Sequence, residues 1–191
     1  LFSRLSEVAE SSPHAWYPVK RSPEEIATAT PSNRFVGWPY TKFMNAMNQI
    51  NQSASLLLTS IEKAEEMGVD PDRWVFLHGA SDVTDVWNVS YRENFYSSPS
   101  MKIMGENALN MAGLEINDIR HLDLYSCFPS AVQIARNELG IPKDDQRHLT
   151  VTGGLPFHGG AGNNYVMNSI AAMADKLRSD RGSFGMVTAN G

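Results

Sequence analysis

Hydrophobic and polar positions switch between a strand-like and a helix-like pattern several times along the chain. Compact apolar runs predict strands at residues 53–60, 74–81, 121–126, 148–154 and 183–191. Apolar residues spaced three or four apart predict helices at residues 61–67, 100–113, 129–140 and 164–182. Because strands and helices alternate, we expect an α/β fold in which helices cover a layered, mixed sheet.

The first forty residues lack such a pattern. They carry five of the ten prolines and many Ser and Thr residues, which is typical of a surface segment. Only residues 22–28 predict a short helix there. We therefore expect this Pro/Ser-rich region to lie on a body that the rest of the chain forms.

Local signals mark where the predicted helices begin and end. Thr59 followed by Glu62 predicts a capping box, and Pro129 is suited to the first turn of a helix. Glycines are expected to end three of the helices, at positions 68, 113 and 140. The residues predicted to face inward are Met101, Met104, Ala108 and Met111, then Val132, Ala135 and Leu139, and finally Met167, Ile170, Ala174 and Leu177.

Composition narrows the classes of function. With 42% apolar residues, 19% charged residues and a net charge of −5, the chain can bury a sizeable core. Its 16 Lys and Arg residues are scattered among 21 acidic ones, which argues against nucleic acid as a partner. No apolar run approaches the roughly 20 residues of a membrane span. The single cysteine favours a reducing compartment such as the cytoplasm.

Three stretches follow predicted strands and could carry chemistry: residues 125–128, 153–162 and 188–191. Ligands of α/β sheets collect at the carboxyl ends of strands, so these stretches are expected to converge. Metal binding is not expected, because the five histidines show no HxxxH spacing and one cysteine cannot form a CxxC pair. We expect no metal and no organic cofactor.

The glycine-rich stretch GGLPFHGGAG admits more than one interpretation. It can be a tight connection in which glycines allow close packing, or a site where His158 acts as a base or holds an oxyanion. Nearby backbone dipoles should favour the neutral imidazole that a base requires. A phosphate cradle is disfavoured, because GxxxxGK[ST] is absent.

Cys127 and Tyr125 are the other candidates. Cys127 precedes a predicted helix whose dipole would favour a thiolate, yet a lone cysteine is more often a small buried hydrophobic residue. Tyr125 is either a hydrogen-bond donor or an aromatic side chain that fills the edge of the sheet.

Four segments together resemble one family. They are PYTKFMNAMNQINQSASLLLTSIEKAEEMGV, GLEINDIRHLDLYSCFPSAVQIARNELG, TGGLPFHGGAGNNY and FGMVTANG. In this order they resemble the carboxyl-terminal half of thiolase-superfamily acyltransferases, in the acetyl-CoA acetyltransferase branch near the sterol-carrier-protein thiolases. The resemblance implies a thiolase-like layered fold of two similar halves and Claisen-type chemistry on acyl-CoA thioesters, with acyl-CoA as substrate.

The resemblance also implies roles for individual residues. His158 matches the histidine that activates the acylated cysteine, and Tyr125 matches a residue that helps to hold an oxyanion. Cys127 matches a Cys or Ala position of the same motif. Gly159, Gly160 and Gly191 are expected to line the acyl-CoA site. Asn190 stands where the family has a second cysteine, and an amide cannot transfer a proton as a thiolate does.

Two hypotheses follow from this comparison. The chain is part of an acyl-CoA C-acyltransferase whose nucleophile lies in a missing amino-terminal half, or it is a non-catalytic subunit that binds acyl-CoA or supports a catalytic partner. Residues 1–74 would end the amino-terminal half, and residues 75–191 would form a truncated carboxyl-terminal domain. A homo-oligomer, or a hetero-complex with another thiolase half, is expected as the assembly.

Overall fold

The computed structural model describes residues 1–190, whose regular structure consists of six α-helices and four short strands. In chain order these are α1 (Phe2–Glu10), α2 (Pro23–Ala27), β1 (Phe35–Gly37), β2 (Tyr40–Thr41), α3 (Ile61–Glu66), α4 (Pro99–Ala112), β3 (Ile119–Asp123), α5 (Pro129–Glu138), α6 (Tyr165–Ser179) and β4 (Phe184–Val187). Single 3₁₀ turns lie at Lys42–Met44, Pro71–Arg73, Val89–Tyr91 and Gly162–Asn164.

Two separate pairs of strands form the sheets. Strands β3 and β4 are parallel, with Ile119 opposite Phe184 and Asp123 opposite Val187, while β1 and β2 pair antiparallel. Helices α5 and α6 lie between these two strands in the chain, and α6 packs against both of them. Helices α4 and α5 pack against each other. The predicted layered α/β class is confirmed.

Most predicted helices are confirmed, with corrections at their ends. Ser22 caps α2 in a capping box, in which Glu25 N donates to Ser22 Oγ (3.1 Å) and Ser22 N donates to Glu25 Oε2 (2.8 Å). The predicted Thr59–Glu62 capping box is wrong, because Ser60 caps α3 and accepts from Lys63 N (3.2 Å). Helix α1 was not predicted, because its apolar residues lie in a segment that is otherwise rich in proline.

Three predicted strands do not form. Residues 53–60 and 74–81 are irregular, and the side chains of Leu57, Leu58 and Leu77 are 75%, 73% and 74% exposed. A strand needs a neighbouring strand to bind its backbone N–H and C=O groups, and neither segment has such a partner strand among residues 1–190. Residues 148–154 form bends instead of a strand.

The hydrophobic core combines both ends of the chain. Its buried members are Phe2, Leu5, Ala9, Ile26, Met101, Ile119, Leu122, Leu124, Val132, Ala135, Leu139, Ile141 and Phe157. Side chains from α1 and α2 therefore share one core with side chains of β3 and α5. The division of the chain after residue 74 stays a prediction.

The inward faces of two helices differ from the prediction. Met111 of α4 is 66% exposed, whereas its neighbours Leu109 and Leu114 pack against the core. In α6, Met167 and Ile170 are exposed, whereas Tyr165, Asn168, Ser169 and Met173 are buried. The buried face of α6 is polar because its side chains make hydrogen bonds inside the molecule, which an apolar periodicity cannot reveal.

A buried carboxylate explains this polar face. Asp123 is completely buried, and its Oδ2 accepts from Thr150 Oγ1 (2.9 Å), Val151 N (2.9 Å), Thr152 N (3.1 Å) and Thr152 Oγ1 (3.0 Å). Its Oδ1 accepts from Ser169 Oγ of α6 (2.8 Å). These donors hold residues 150–152 as a turn, which is why this segment does not form a strand.

Two glycines continue this turn under α1. Gly153 and Gly154 have φ values of +106° and +79°, a region that side chains rarely adopt. A Cβ at Gly154 would lie 2.7 Å from a Leu5 side-chain carbon, and one at Gly153 would collide with Ala9. The glycines therefore let α1 pack directly on the turn that leads to His158.

Among residues 1–190, no helix is both long enough and apolar enough to cross a bilayer.

Replacing Asp123 by Asn tests the importance of the buried carboxylate. An amide has only one acceptor oxygen and brings two donors among groups that already donate, so some bonds must be lost. We expect Asp123→Asn to lower the free energy of unfolding by about 3 kcal/mol in urea denaturation. Asp144→Asn, at an exposed position, is the matched control and should change it by less than about 0.5 kcal/mol. Equal stability of both variants would contradict this role of Asp123.

Candidate active site

His158 lies in the turn that follows Gly153 and Gly154, and it is almost completely buried, with 2% of its surface exposed. Its backbone N donates to Gly154 O (2.8 Å), and its carbonyl accepts from Trp16 N (3.0 Å). On the other side of the turn, Gly160 N donates to Met47 O (2.7 Å). The histidine is therefore held between the amino-terminal segment and residues 46–52.

The imidazole of His158 has two different sides. Its Nε2 lies 3.0 Å from Nε2 of Gln52, and its ring packs edge-on against Tyr165 with the ring centres 6.1 Å apart. Its Nδ1 is buried and makes no hydrogen bond of ordinary geometry.

Burial lowers the pKa of His158 below its ordinary value. The Asp123 carboxylate, the Asn168 side chain and the Thr152 backbone act in the opposite direction, and His14 adds to the lowering. The desolvation cost is the largest of these effects, so the imidazole is neutral at pH 7. A neutral imidazole has the lone pair that a general base needs.

Tyr125 and His158 contact the same aromatic ring. Tyr125 packs edge-on against Tyr165 at 5.7 Å, and its backbone N donates to Thr188 Oγ1 (2.9 Å) just beyond β4. Burial raises the pKa of Tyr125, and the neighbouring Cys127 adds to this effect, so the phenol keeps its proton at neutral pH. The ends of β3 and β4 and the glycine-rich turn thus converge around Tyr165.

Cys127 lies just before α5. Its side chain is half-buried, and burial raises the pKa of the thiol although hydrogen bonds from the backbone of Phe128 and of Cys127 itself oppose this. Burial thus favours the neutral thiol, which agrees with the interpretation of Cys127 as a small, partly buried hydrophobic residue. The neighbouring Phe128 stacks on Tyr40, with ring centres 5.8 Å apart.

The remaining predicted site residues lie at two places. Gly159 and Gly160 are buried against residues 46–52; a Cβ at Gly159 would lie 3.1 Å from Gln52 Oε1, and one at Gly160 would lie 3.3 Å from Met47 O. Close packing is thus one reason for glycine at both positions. Asn190 is exposed beyond Thr188, and Gly191 lies outside the described residues.

Three residues around His158 were not predicted from the sequence. Asp123 had a signal, since an acidic residue in a short apolar strand must find buried partners. Tyr165 opens a predicted helix, where its hydroxyl lies 2.9 Å from Thr152 Oγ1. Gln52 gave no signal, because its approach to His158 spans 106 positions of the chain.

Other features of the structure lie away from this site. A cavity of about 400 Å³ is lined by Arg120, Asp180, Arg181 and Phe184 at the opposite end of the β3–β4 pair. Among residues 1–190, no group of three or more His, Cys, Asp or Glu side chains is arranged to hold a metal ion. The groups that contact Tyr165 offer a neutral imidazole and a phenol, which are suited to proton transfer and hydrogen bonding.

Comparisons with known proteins agree with this architecture. No protein-family model matches the chain, and no curated protein matches it either. Among solved structures, it is similar to a monomeric SCP2-thiolase like protein type 1 (STLP1) from Mycobacterium smegmatis, with 41% identity and a TM-score of 0.92 over 100% of this chain. It also shares its fold with a chain of the Ltp2-ChsH2(DUF35) aldolase, at 21% identity and a TM-score of 0.70 over 99% of this chain.

The chain spans 42% of the STLP1 chain and 55% of the aldolase chain. The resemblance noted in the four sequence segments thus extends to the three-dimensional structure over the whole described chain. This chain belongs to the thiolase superfamily, in its SCP2-thiolase-like branch.

Proposed function

We propose that this chain is part of a thiolase-like acyltransferase that acts on acyl-CoA thioesters, with His158 as the general base. The observation that carries the proposal is the neutral, buried imidazole, which shares the Tyr165 ring with Tyr125 at the ends of β3 and β4. The similarity to STLP1, of which this chain spans 42%, supports a further segment that would supply the nucleophile.

The proposed reaction uses each group for one task. His158 accepts the proton of a cysteine thiol outside these 191 residues. The thiolate forms a bond to the acyl carbon, and the bond between that carbon and the sulfur of CoA breaks, so that CoA leaves as a thiol with the proton that His158 returns. The protonated phenol of Tyr125 stabilises the negative charge on the thioester oxygen, either directly or through a water molecule. The backbone N–H of Gly159 is another candidate for this task, whereas that of Gly160 already donates to Met47 O.

A second candidate function has an observation of its own. Asn190 stands at the position of the family's second cysteine, and its amide cannot take a proton from the α-carbon of a substrate. This favours a non-catalytic subunit that binds acyl-CoA or supports a catalytic partner. Acyl transfer to a cysteine does not need the second cysteine, so the two functions differ in whether a covalent adduct forms.

Exposed apolar side chains support an additional covering surface. Residues 57, 58, 76 and 77 are all more than half exposed, as are Trp87, Tyr91, Phe95 and Tyr96. Such a large exposed apolar area is typical of an interface. The rest of the same protein, a second copy or another thiolase-like chain would cover it. STLP1 is described as monomeric, and the aldolase name joins Ltp2 with ChsH2(DUF35), so neither a homo-oligomer nor a hetero-complex is favoured alone.

Incubation of the intact protein with acetyl-CoA distinguishes the two functions. The acyltransferase should carry a covalent acetyl group that intact-mass measurement detects, and peptide mapping should find it on a cysteine outside residues 1–191. Cys127→Ala is the control within this chain, and it should keep the adduct. A protein that stays unmodified, under conditions where a known thiolase is labelled, would favour the non-catalytic subunit.

Replacement of His158 tests the proposed base. His158→Asn keeps a polar side chain of similar size but removes the base, so acetyl transfer should slow by about 100-fold or more. The exposed His148 provides the matched control, and His148→Asn should keep the wild-type rate. Unchanged transfer in His158→Asn would remove this residue from the mechanism.

The pH dependence of acetyl transfer follows from the lowered pKa of His158. Only the neutral imidazole accepts a proton, and burial keeps it neutral below 6.5, the ordinary pKa of histidine. As pH falls, the rate should therefore be maintained through 6.5 and decline only at lower pH. A single-turnover pH profile measures this, and a decline centred above 6.5 would contradict the assignment.

A further inference from the structure

The amide of Gln52 is the polar group in direct contact with the imidazole of His158. Its Nε2 lies 3.0 Å from His158 Nε2, 2.9 Å from the carbonyl oxygen of His14 and 3.4 Å from the carbonyl oxygen of His158 itself. Three acceptors thus surround one amide nitrogen. Gln52 comes from the segment between the turn at Lys42–Met44 and helix α3, far from His158 in the chain.

The carbonyl of His14 determines which way the amide points. A carbonyl oxygen can only accept, so the atom of Gln52 that faces it must be the NH₂ group. Turning the amide over would place Gln52 Oε1 against the His14 oxygen, with two acceptors and no proton between them. The second proton of the same NH₂ group is then directed at the imidazole.

That orientation also determines the protonation of the ring. Because Gln52 Nε2 donates, His158 Nε2 must accept, and the neutral ring must carry its proton on Nδ1. We infer that Gln52 is a positioning residue, which fixes His158 in the Nδ1–H tautomer and holds the lone pair of its Nε2. The catalytic part of this role rests on the proposed function, whereas the tautomer itself does not.

Two buried atoms without partners mark the same place. His158 Nδ1 and Gln52 Oε1 are both inaccessible and make no hydrogen bond within the described residues. Buried side-chain atoms without partners are uncommon in proteins. The contact of Gln52 Nε2 with His158 Nε2 therefore leaves the other polar atom of each side chain without a partner.

The contact between Gln52 Nε2 and His158 Nε2 has a direct consequence for proton transfer. His158 Nε2 can accept a proton from a thiol only when the amide of Gln52 moves away from it. As long as the NH₂ group of Gln52 donates to Nε2, Gln52 stabilises the neutral ring.

Several other groups act on the protonation of His158. The Asp123 carboxylate, the Asn168 side chain and the Thr152 backbone favour the charged ring and His14 disfavours it, while the Tyr165 ring packs against the imidazole. All of them are unchanged when Gln52 alone is replaced. A change in His158 that appears only in Gln52 variants therefore reports the amide contact.

Nitrogen NMR of the intact protein labelled with ¹⁵N-histidine measures the tautomer without any catalysis. The His158 signals are identified by their loss in His158→Asn. At a pH where the ring is neutral, wild-type protein should show a protonated Nδ1 and an unprotonated Nε2. Gln52→Leu, of similar size, should move the two signals toward each other, because the amide that donates to Nε2 and fixes the tautomer is then absent.

Gln52→Glu gives the opposite change in charge at the same place. A carboxylate accepts from Nε2–H, so the tautomer should change to Nε2–H, and the pH midpoint of the His158 signals should rise by about one unit or more. Gln49 is exposed and three positions away, so Gln49→Leu and Gln49→Glu are matched controls that should leave His158 as in wild type.

Either of two results would overturn the inference. One is a wild-type His158 with its proton on Nε2, which decides the matter even when the Gln52 variants do not fold. The other is a set of Gln52 variants whose His158 signals and midpoint equal those of wild type. A protein that shows the expected tautomer but forms no acetyl adduct would lose only the proposed acyl transfer.

Discussion

The buried carboxylate of Asp123 is the contact on which the rest of the site depends. The carboxylate joins the end of β3 to the turn at 150–152 and to Ser169 of α6. The backbone carbonyl of Asp123 accepts from Thr188 N beyond β4 (3.0 Å). A fully buried carboxylate requires this many hydrogen-bond donors, because the loss of any one donor leaves part of the desolvation cost of the charge uncompensated. The turn that carries His158 therefore has little freedom to move.

This requirement reverses the usual distribution of side chains on α6. The side chains of Tyr165, Asn168 and Ser169 point inward, toward the region of the carboxylate and the histidine. Met167 and Ile170 lie at the surface. A polar interior is costly unless its groups bind one another. The Tyr165 hydroxyl donates to Thr152, so one residue both completes the network and contacts Tyr125 and His158 through its ring.

Local signals in the sequence predicted helices well and strands poorly. Ser22, Gly113 and Pro129 act through neighbours within four residues, so their effect is readable from the chain. A strand depends on a distant partner, and the apolar runs around Leu57 and Leu77 have none among the described residues. The glycine-rich turn and His158 were also visible in the sequence. Gln52 was not, because only the folded chain brings its amide to the imidazole.

The central claim is that an acyl-CoA thioester binds where the ends of β3 and β4 meet the turn of His158. A crystal structure of the intact protein with a non-hydrolysable acyl-CoA analogue tests this most directly. The account predicts that the reacting carbonyl group of the analogue lies beside Tyr125. A group that His158 can deprotonate or bind should lie within about 3 Å of this carbonyl group. An analogue bound elsewhere, such as the cavity at Arg120 and Asp180, with Gln52 still on His158, would contradict it.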